Sequence, residues 1–166
     1  MRHPGGKNGA GVFQTIINQI PPHALYIEAF VGSGAVLRNK RPATSTIVID
    51  ADADVAARWA DVPDVIALHG DARSLIGIFA DRGLLSPRVF IYCDPPYMRG
   101  TRRSAAPIYR HEMTDMDHAA LLALLVQLPA LVMLSGYRCP WYDAALSSWR
   151  RIDFKTPALC HGVSNV

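Results

Sequence analysis

A short stretch in the middle of the chain, Asp94-Pro95-Pro96-Tyr97, combines groups that suit the binding of a flat heterocycle with an amino group. Asp94 follows the apolar run 89–93, which is typical of a buried parallel strand. Its carboxylate would then lie at the carboxyl end of a strand, where open α/β sheets bind their ligands. Pro95 and Pro96 lack an N–H and have a fixed φ, so they make the following backbone rigid. This stretch thus offers a rigid carboxylate, backbone carbonyls and one ring. Such groups suit the binding of a heterocycle better than they suit nucleophilic hydrolysis.

A glycine-rich turn lies further upstream. The strand candidate 25–30 leads into Val31-Gly32-Ser33-Gly34, and a helix is predicted to start after it. A strand, a glycine turn and a helix start together form a nucleotide-binding arrangement, because glycines let backbone N–H groups face the ligand. The pattern therefore indicates a cofactor loop at the end of the first strand.

Two further strand candidates, 46–50 and 65–71, also end in acids. Asp50 lies 16 residues after Gly34, a spacing at which a carboxylate accepts hydrogen bonds from ribose hydroxyls in dinucleotide-binding folds. Asp50, Asp52 or Asp54 could alternatively cap a helix, and Asp54 is the best placed to cap 55–60. Asp71 could hydrogen-bond the amino group of an adenine ring, or it could cap the helix 74–80. The sequence favours neither role over the other.

Length and composition limit the number of domains and the class of protein. The chain has 166 residues, 50% of them hydrophobic and 19% charged, which predicts a single α/β domain over 1–166. Three cysteines lack the spacing of metal ligands, which favours reduced thiols in the cytoplasm and no metal. The N-terminal stretch has no apolar signal core, and no apolar run is long enough for a membrane span.

The segment 99–114 is basic and irregular, and it directly follows the Asp94 stretch. Arginines with interleaved aromatics suit phosphate contacts and base stacking, so we expect this loop to face a nucleic acid. A solvated basic surface is the alternative. The substrate-binding candidates are Arg99, Arg102, Arg103, Tyr109 and His111, with Arg110 adding to the charge.

The remaining elements complete a βαβ pattern. Helices are expected over 12–20, after Thr114 or Asp115, and over 141–149, with a fifth strand over 131–137 and a sixth over 150–156. The four earlier strands would place the glycine loop, Asp50, Asp71 and Asp94 at one edge of a sheet.

These motifs and their order resemble the Dam-like adenine-specific DNA methyltransferases of the small phage and prophage type. The resemblance runs nearly end to end. The matching segments are Pro4-Gly5-Gly6-Lys7, Glu28-Ala-Phe30-Val-Gly32-Ser-Gly34, Val48-Ile-Asp50, Gly70-Asp71, Asp94-Pro95-Pro96-Tyr97, Tyr109-Arg-His-Glu112-Met-Thr-Asp115 with His118, and Leu134-Ser-Gly-Tyr137.

The resemblance implies a Rossmann-like methyltransferase fold, S-adenosylmethionine as cofactor, and adenine of duplex DNA as the substrate. Lys7 would meet the methionine carboxylate of the cofactor, and His3 stands where the family usually has Tyr or Trp. The other cofactor-binding residues implied are Phe30, Gly32, Gly34, Asp50, Asp71 and Asp94.

The resemblance also assigns the chemistry. Asp94 and the Pro95 carbonyl would accept hydrogen bonds from the exocyclic amine, and the amine would attack the methyl group in line. Tyr97 would stack on a base flipped out of the duplex. Orientation carries much of the rate in such a reaction.

Two departures from the family shape the expectations. Only 22 residues separate Asp71 from Asp94, which is too few for the target-recognition insert of larger family members. We therefore expect the 99–114 loop to recognise the DNA sequence. Relatives continue beyond the position of Val166, so we expect this chain to lack the last, antiparallel strand of the usual seven-stranded sheet.

Two alternative functions stay open. One is methylation of RNA adenine or of a cytosine amine, and the other is a truncated, weakly active nucleic-acid-binding module. The sequence also leaves open a monomer or a weak dimer, and whether a restriction–modification partner exists.

Overall fold

The structure, a computed structural model, describes residues 11–102, 109–157 and 163–165, with side chains described in 11–102 and 109–154. Five strands alternate with helices in the main body, and a short strand pair follows. The elements are α1 (Val12–Ile17), β1 (Leu25–Ala29), β2 (Ser45–Asp50), α2 (Ala53–Ala60), β3 (Val65–His69), α3 (Ala72–Asp81), β4 (Val89–Cys93), a 3₁₀ turn (Arg99–Thr101), α4 (Asp115–Leu125), β5 (Leu131–Leu134), α5 (Pro140–Ala145), β6 (Lys155–Pro157) and β7 (Val163–Asn165).

The main sheet has five parallel strands in the order β3-β2-β1-β4-β5. The register pairs Ile27 of β1 with Ile47 of β2 on one side and with Ile91 of β4 on the other. This arrangement confirms the predicted α/β class with a Rossmann-like, parallel sheet. β1 continues to β2 on one side and β4 continues to β5 on the other, so the strand order reverses between β1 and β4.

The core lies on both faces of the sheet, as the continuous apolar runs require. All five residues of β4 are buried. On one face, Ile27 and Ile91 pack with Ile76 of α3 and Leu121 of α4. On the other face, α1 packs against a cluster that includes Tyr26, Phe90 and Tyr92, while α2 packs beside it against Val48. Successive strand residues thus serve opposite faces.

Three element predictions need correction. The turn after Gly34 does not open a regular helix: residues 35–39 form successive turns, with the Arg38 N–H donating to the Gly34 carbonyl at 2.9 Å. The helices α1 and α5 are shorter than expected and end at Ile17 and Ala145.

The third correction concerns the predicted sixth strand over 150–156. Residues 151–153 are exposed, and Arg151 pairs with Asp143 at 3.1 Å and with Asp153 at 3.3 Å. This stretch therefore lacks the buried face that a sheet strand needs. β6 instead pairs antiparallel with β7 in a separate two-stranded sheet.

Within the described ranges, no helix combines the length and apolar character needed to cross a membrane.

Candidate active site

The site is built where the strand order reverses. Ala29 and Cys93, the last residues of β1 and β4, are register partners, and the Asp94 N–H donates to the Ala29 carbonyl at 3.4 Å. Connections that leave neighbouring parallel strands toward opposite sides open a crevice at their carboxyl ends. The glycine loop after β1 and the Asp94 stretch after β4 therefore lie at the same edge of the sheet, as the sequence predicted.

Asp94 is held by a side chain from the neighbouring strand. The Ser135 hydroxyl donates to Oδ1 of Asp94 at 2.7 Å, and the Tyr92 hydroxyl lies 3.0 Å from the same Ser135 oxygen. Ser135 directly follows β5, and its N–H donates to the Cys93 carbonyl at 2.9 Å. Sequence reasoning gave Ser135 no role, although a polar residue directly after a strand was the signal that could have found it.

Tyr97 lies within an aromatic cluster. Its ring meets Tyr137 edge-on at a centroid distance of 4.5 Å and Tyr109 at 6.5 Å. Burial, together with the nearby Asp94 charge, raises the pKa of Tyr97 well above its usual range, and the two side chains are hydrogen-bonded. The hydroxyl therefore stays protonated at working pH. Tyr137 was part of a matching segment, but no role had been predicted for it.

A small cleft opens beside this cluster, with a volume of about 210 Å³ including its open mouth. Its interior space is about 10 Å³, which is about what one water molecule needs. Its walls are formed by Pro95, Pro96, Tyr97, Met98, Thr101, Ser135, Gly136, Tyr137 and Tyr142.

Tyr142 connects this cleft to a buried histidine. Nδ1 of His118 lies 2.8 Å from the Tyr142 hydroxyl, and the His118 side chain is fully buried. Burial lowers the pKa of His118, which favours the neutral imidazole. The pair links α4 to α5 and thereby supports one wall of the cleft.

The two glycines of the cofactor loop have different reasons to be glycine. Phe30, Gly32 and Gly34 all have positive φ, of 61°, 49° and 62°. Among the described residues, a Cβ on Gly32 would meet nothing closer than the Phe30 carbonyl at 4.0 Å, so this side of Gly32 is open toward a ligand. A Cβ on Gly34 would lie 2.1 Å from Cζ2 of Trp59. Gly34 is therefore required by packing against α2, a partner that sequence reasoning missed.

We expect Gly34→Ala to destabilise the protein by about 3 kcal/mol, since alanine meets the Trp59 ring and also pays for a left-handed φ. Urea unfolding measures the loss. Gly32→Ala is the matched control and should lose about 1 kcal/mol, because only the φ cost applies. In a Trp59→Leu background the loss from Gly34→Ala should shrink. An equal loss in both backgrounds would contradict the contact as its cause.

Asp50 braces the glycine loop. Its Oδ2 accepts the Gly32 N–H and its Oδ1 accepts the Asp52 N–H, both at 2.9 Å. A carboxylate oxygen can accept two hydrogen bonds, so these contacts leave acceptor capacity for ribose hydroxyls. The cap of α2 is Asp52, which accepts the Asp54 N–H. The preference for Asp54 was wrong because the helix begins earlier, at Ala53.

Asp71 serves as the cap of α3. It accepts the Ser74 N–H at 2.9 Å and pairs with Arg73 at 2.9 Å, and Arg73 also reaches Asp117 at 2.6 Å. Burial opposes the charge on Asp71, but the hydrogen bonds from Arg73 and Ser74 outweigh it and lower the pKa of this carboxyl. Of the two predicted roles, the structure confirms capping.

The basic loop is partly pinned to the protein. Arg102 forms a two-pronged ion pair with Glu112 at 2.8 and 2.5 Å, and its Nε donates to the Tyr97 carbonyl at 2.5 Å. Only 4% of the Arg102 side chain is exposed. Its guanidinium is thus occupied within the protein and braces Tyr97, rather than being presented to a phosphate as predicted.

Other members of the loop differ in exposure. Arg99 is 57% exposed, and His111 is also exposed, so both are accessible from solvent. Arg110 is exposed but pairs with Asp52 at 3.1 Å and with Asp54 at 2.8 Å. His3, Lys7 and Arg103 lie outside the described residues.

We expect Arg102→Ala to destabilise the protein by about 3 kcal/mol, because it leaves the Glu112 carboxylate without its bidentate partner in a nearly buried position. Thermal or urea unfolding measures this. Arg99→Ala is the control and should change stability by less than about 0.5 kcal/mol. Wild-type stability of the Arg102→Ala variant would show that the pair does not hold the loop.

No protein-family model matches the chain, and no curated protein matches it. We therefore derive a function from the residues and geometry of the site.

Proposed function

We propose that this protein transfers a methyl group from S-adenosylmethionine to the exocyclic N6 amino group of adenine in DNA, acting on a flipped-out base. The observation that carries the proposal is the position of Asp94. It lies at the reversal of strand order, and its N–H donates to the carbonyl of Ala29, after which the glycine loop begins. The Pro95, Pro96 and Tyr97 residues that follow it line a small cleft.

Two residues at this edge of the sheet support the choice of cofactor. Gly32 has an open side toward ligand, and the Asp50 carboxylate retains acceptor capacity beside it. Phe30, Gly32 and Asp50 would hold the adenosyl part, and bound S-adenosylmethionine would supply an electrophilic methyl group. With Asp71 engaged as a helix cap, its contact to the cofactor adenine is not part of this proposal.

The Asp94 stretch supplies the other half of the chemistry. Asp94 and the Pro95 carbonyl would accept the two N–H groups of the adenine amine, which favours a pyramidal nitrogen with an available lone pair. The amine would take the methyl group that the bound sulfonium supplies, the thioether would be the leaving group, and the extra proton would pass from the amine to water. Tyr97, braced by Arg102, would align the base, because orientation contributes much of the rate.

The protein would act in the cytoplasm, and its partner would be duplex DNA. The thiols of Cys93 and Cys139 are free and buried, which suits a reducing compartment. Arg99 is an exposed basic group for the phosphate backbone.

A methyl-transfer assay tests the proposal. The protein is incubated with radiolabelled S-adenosylmethionine and duplex DNA, RNA or neither, and the nucleosides are then separated by chromatography. Label in N6-methyldeoxyadenosine supports the proposal. Label in RNA or in a cytosine product would replace it with the alternative enzyme, and DNA binding without transfer would favour a binding module.

A further inference from the structure

The buried Tyr92 and the partly buried Ser135 form a chain of hydroxyl groups that ends on the Asp94 carboxylate. The Ser135 hydroxyl donates to Oδ1 of Asp94 at 2.7 Å. Because this uses the only proton of the serine, the Tyr92 hydroxyl at 3.0 Å must be the donor to the Ser135 oxygen. The direction of donation is therefore Tyr92 to Ser135 to Asp94.

Both members of this chain are held by the sheet. Tyr92 is 1% exposed within β4, directly opposite Glu28 of β1. The Ser135 backbone is fixed to Cys93 by an N–H to carbonyl hydrogen bond of 2.9 Å, and Leu134 before it is the register partner of Cys93. The donor to Asp94 thus lies directly after β5, and a backbone hydrogen bond anchors it to the end of β4.

We propose that Ser135 is a positioning residue for Asp94, with Tyr92 acting through it, so that the carboxylate already has the orientation needed to accept the substrate amine. This inference rests on the proposed function, since the amine is the group that Asp94 would meet. Ser135, at the end of β5, would then affect kcat rather than the affinity for the substrate.

The physical reason lies in the carboxylate geometry. An Asp side chain rotates freely at its outer torsion unless neighbours hold it, and both Ser135 and Tyr97 contact Asp94 here. A displacement of about 1 Å in a catalytic group costs about 10²-fold in rate. Burial raises the pKa of Tyr92, with the Asp94 charge adding to this effect, so its hydroxyl keeps its proton and can donate throughout the working pH range.

The test compares Ser135→Ala, Tyr92→Phe and their combination in the methyl-transfer assay. We expect Ser135→Ala to lower kcat by about 10- to 100-fold with less than a twofold change in KM for DNA. Tyr92→Phe should lower kcat by a smaller factor, and the double variant should equal Ser135→Ala, because Tyr92 acts only through the serine. Ser135→Thr, which keeps the hydroxyl, should recover most of the rate.

Matched controls remove hydroxyl groups that do not belong to the Tyr92–Ser135–Asp94 hydrogen-bond chain. Tyr26→Phe deletes a buried hydroxyl in the same cluster that contacts Glu28 instead, and Ser147→Ala deletes an exposed one. Wild-type kcat in Ser135→Ala, independent multiplicative losses, or a change confined to KM would each overturn the proposal.

A second measurement separates this proposal from the proposed function. If the wild-type protein transfers no methyl group to any nucleic acid, the proposed function fails on its own. Crystal structures of wild type and Ser135→Ala then decide the positioning role. A rotated or disordered Asp94 carboxylate in the variant supports it, and an unchanged Asp94 rotamer overturns it.

Discussion

Replacing Asp94 by alanine is expected to lower kcat for methyl transfer to DNA by at least about 10²–10³-fold, the range seen when one preorganised polar contact to a transition state is removed. Asp94 is half-buried at the end of β4, and Ser135 fixes one of its oxygens. Alanine removes the acceptor for the adenine amine and leaves the rest of the crevice in place. Cofactor affinity should therefore change far less than kcat.

Asp94→Asn gives a graded comparison. Asparagine keeps one acceptor oxygen but adds an N–H₂ donor beside Ser135, so we expect an intermediate rate. Asp81→Ala, an exposed acid at the end of α3, is the matched control and should keep the wild-type rate. Steady-state kinetics and calorimetric binding of S-adenosylmethionine provide the two readouts. A fully active Asp94→Ala protein would exclude the proposed chemistry.

The second large effect is a dependence of stability on pH that arises from Glu28. This carboxyl lies in β1 with 3% exposure, and it accepts a hydrogen bond from the Tyr26 hydroxyl at 2.6 Å. Burial raises the pKa of Glu28 from 4.5 to about 8, and the nearby Asp94 charge adds to this, whereas Tyr26 and Lys40 oppose it. At neutral pH the folded protein therefore holds Glu28 in its neutral form.

The sign of the effect follows from proton binding. The unfolded chain releases this proton near pH 4.5 and the folded protein near pH 8, so the folded state binds more protons in between. The contribution of Glu28 to stability is complete below pH 4.5 and is lost as the pH rises to about 8. The total loss is on the order of 5 kcal/mol, because each pH unit of this interval is worth about 1.4 kcal/mol.

Glu28→Gln should remove this dependence. Glutamine matches the shape of the neutral carboxyl and retains an acceptor for Tyr26, so the variant should be more stable than wild type at pH 8. Urea unfolding from pH 4.5 to 8.5 measures both curves. Asp81→Asn is the exposed control and should follow wild type. Parallel curves for Glu28→Gln and wild type would contradict the neutral buried state.

The order of elements along the chain was predictable because its signals are local. Apolar runs located all five main strands, and the acids at their ends located the functional edge of the sheet. The predicted strand over 150–156 failed because its exposed arginine is engaged in ion pairs, which the apolar pattern alone does not reveal. The helix expected after Gly34 became a series of turns, whereas the glycine itself is required by Trp59.

The sequence by itself determined that a carboxylate with two prolines and a ring follows a buried strand, and that a glycine loop and Asp50 follow others. Only the tertiary structure decided the partners of these groups. Ser135 hydrogen-bonds Asp94, 41 positions away in the sequence, because β5 lies beside β4 in the sheet. The Arg102 side chain is buried because it forms an ion pair with Glu112. Such pairs depend on strand order and on the desolvation of both partners, which no local pattern encodes. The structure thus adds to Asp94 a hydrogen bond from Ser135, whose oxygen is in turn contacted by the Tyr92 hydroxyl.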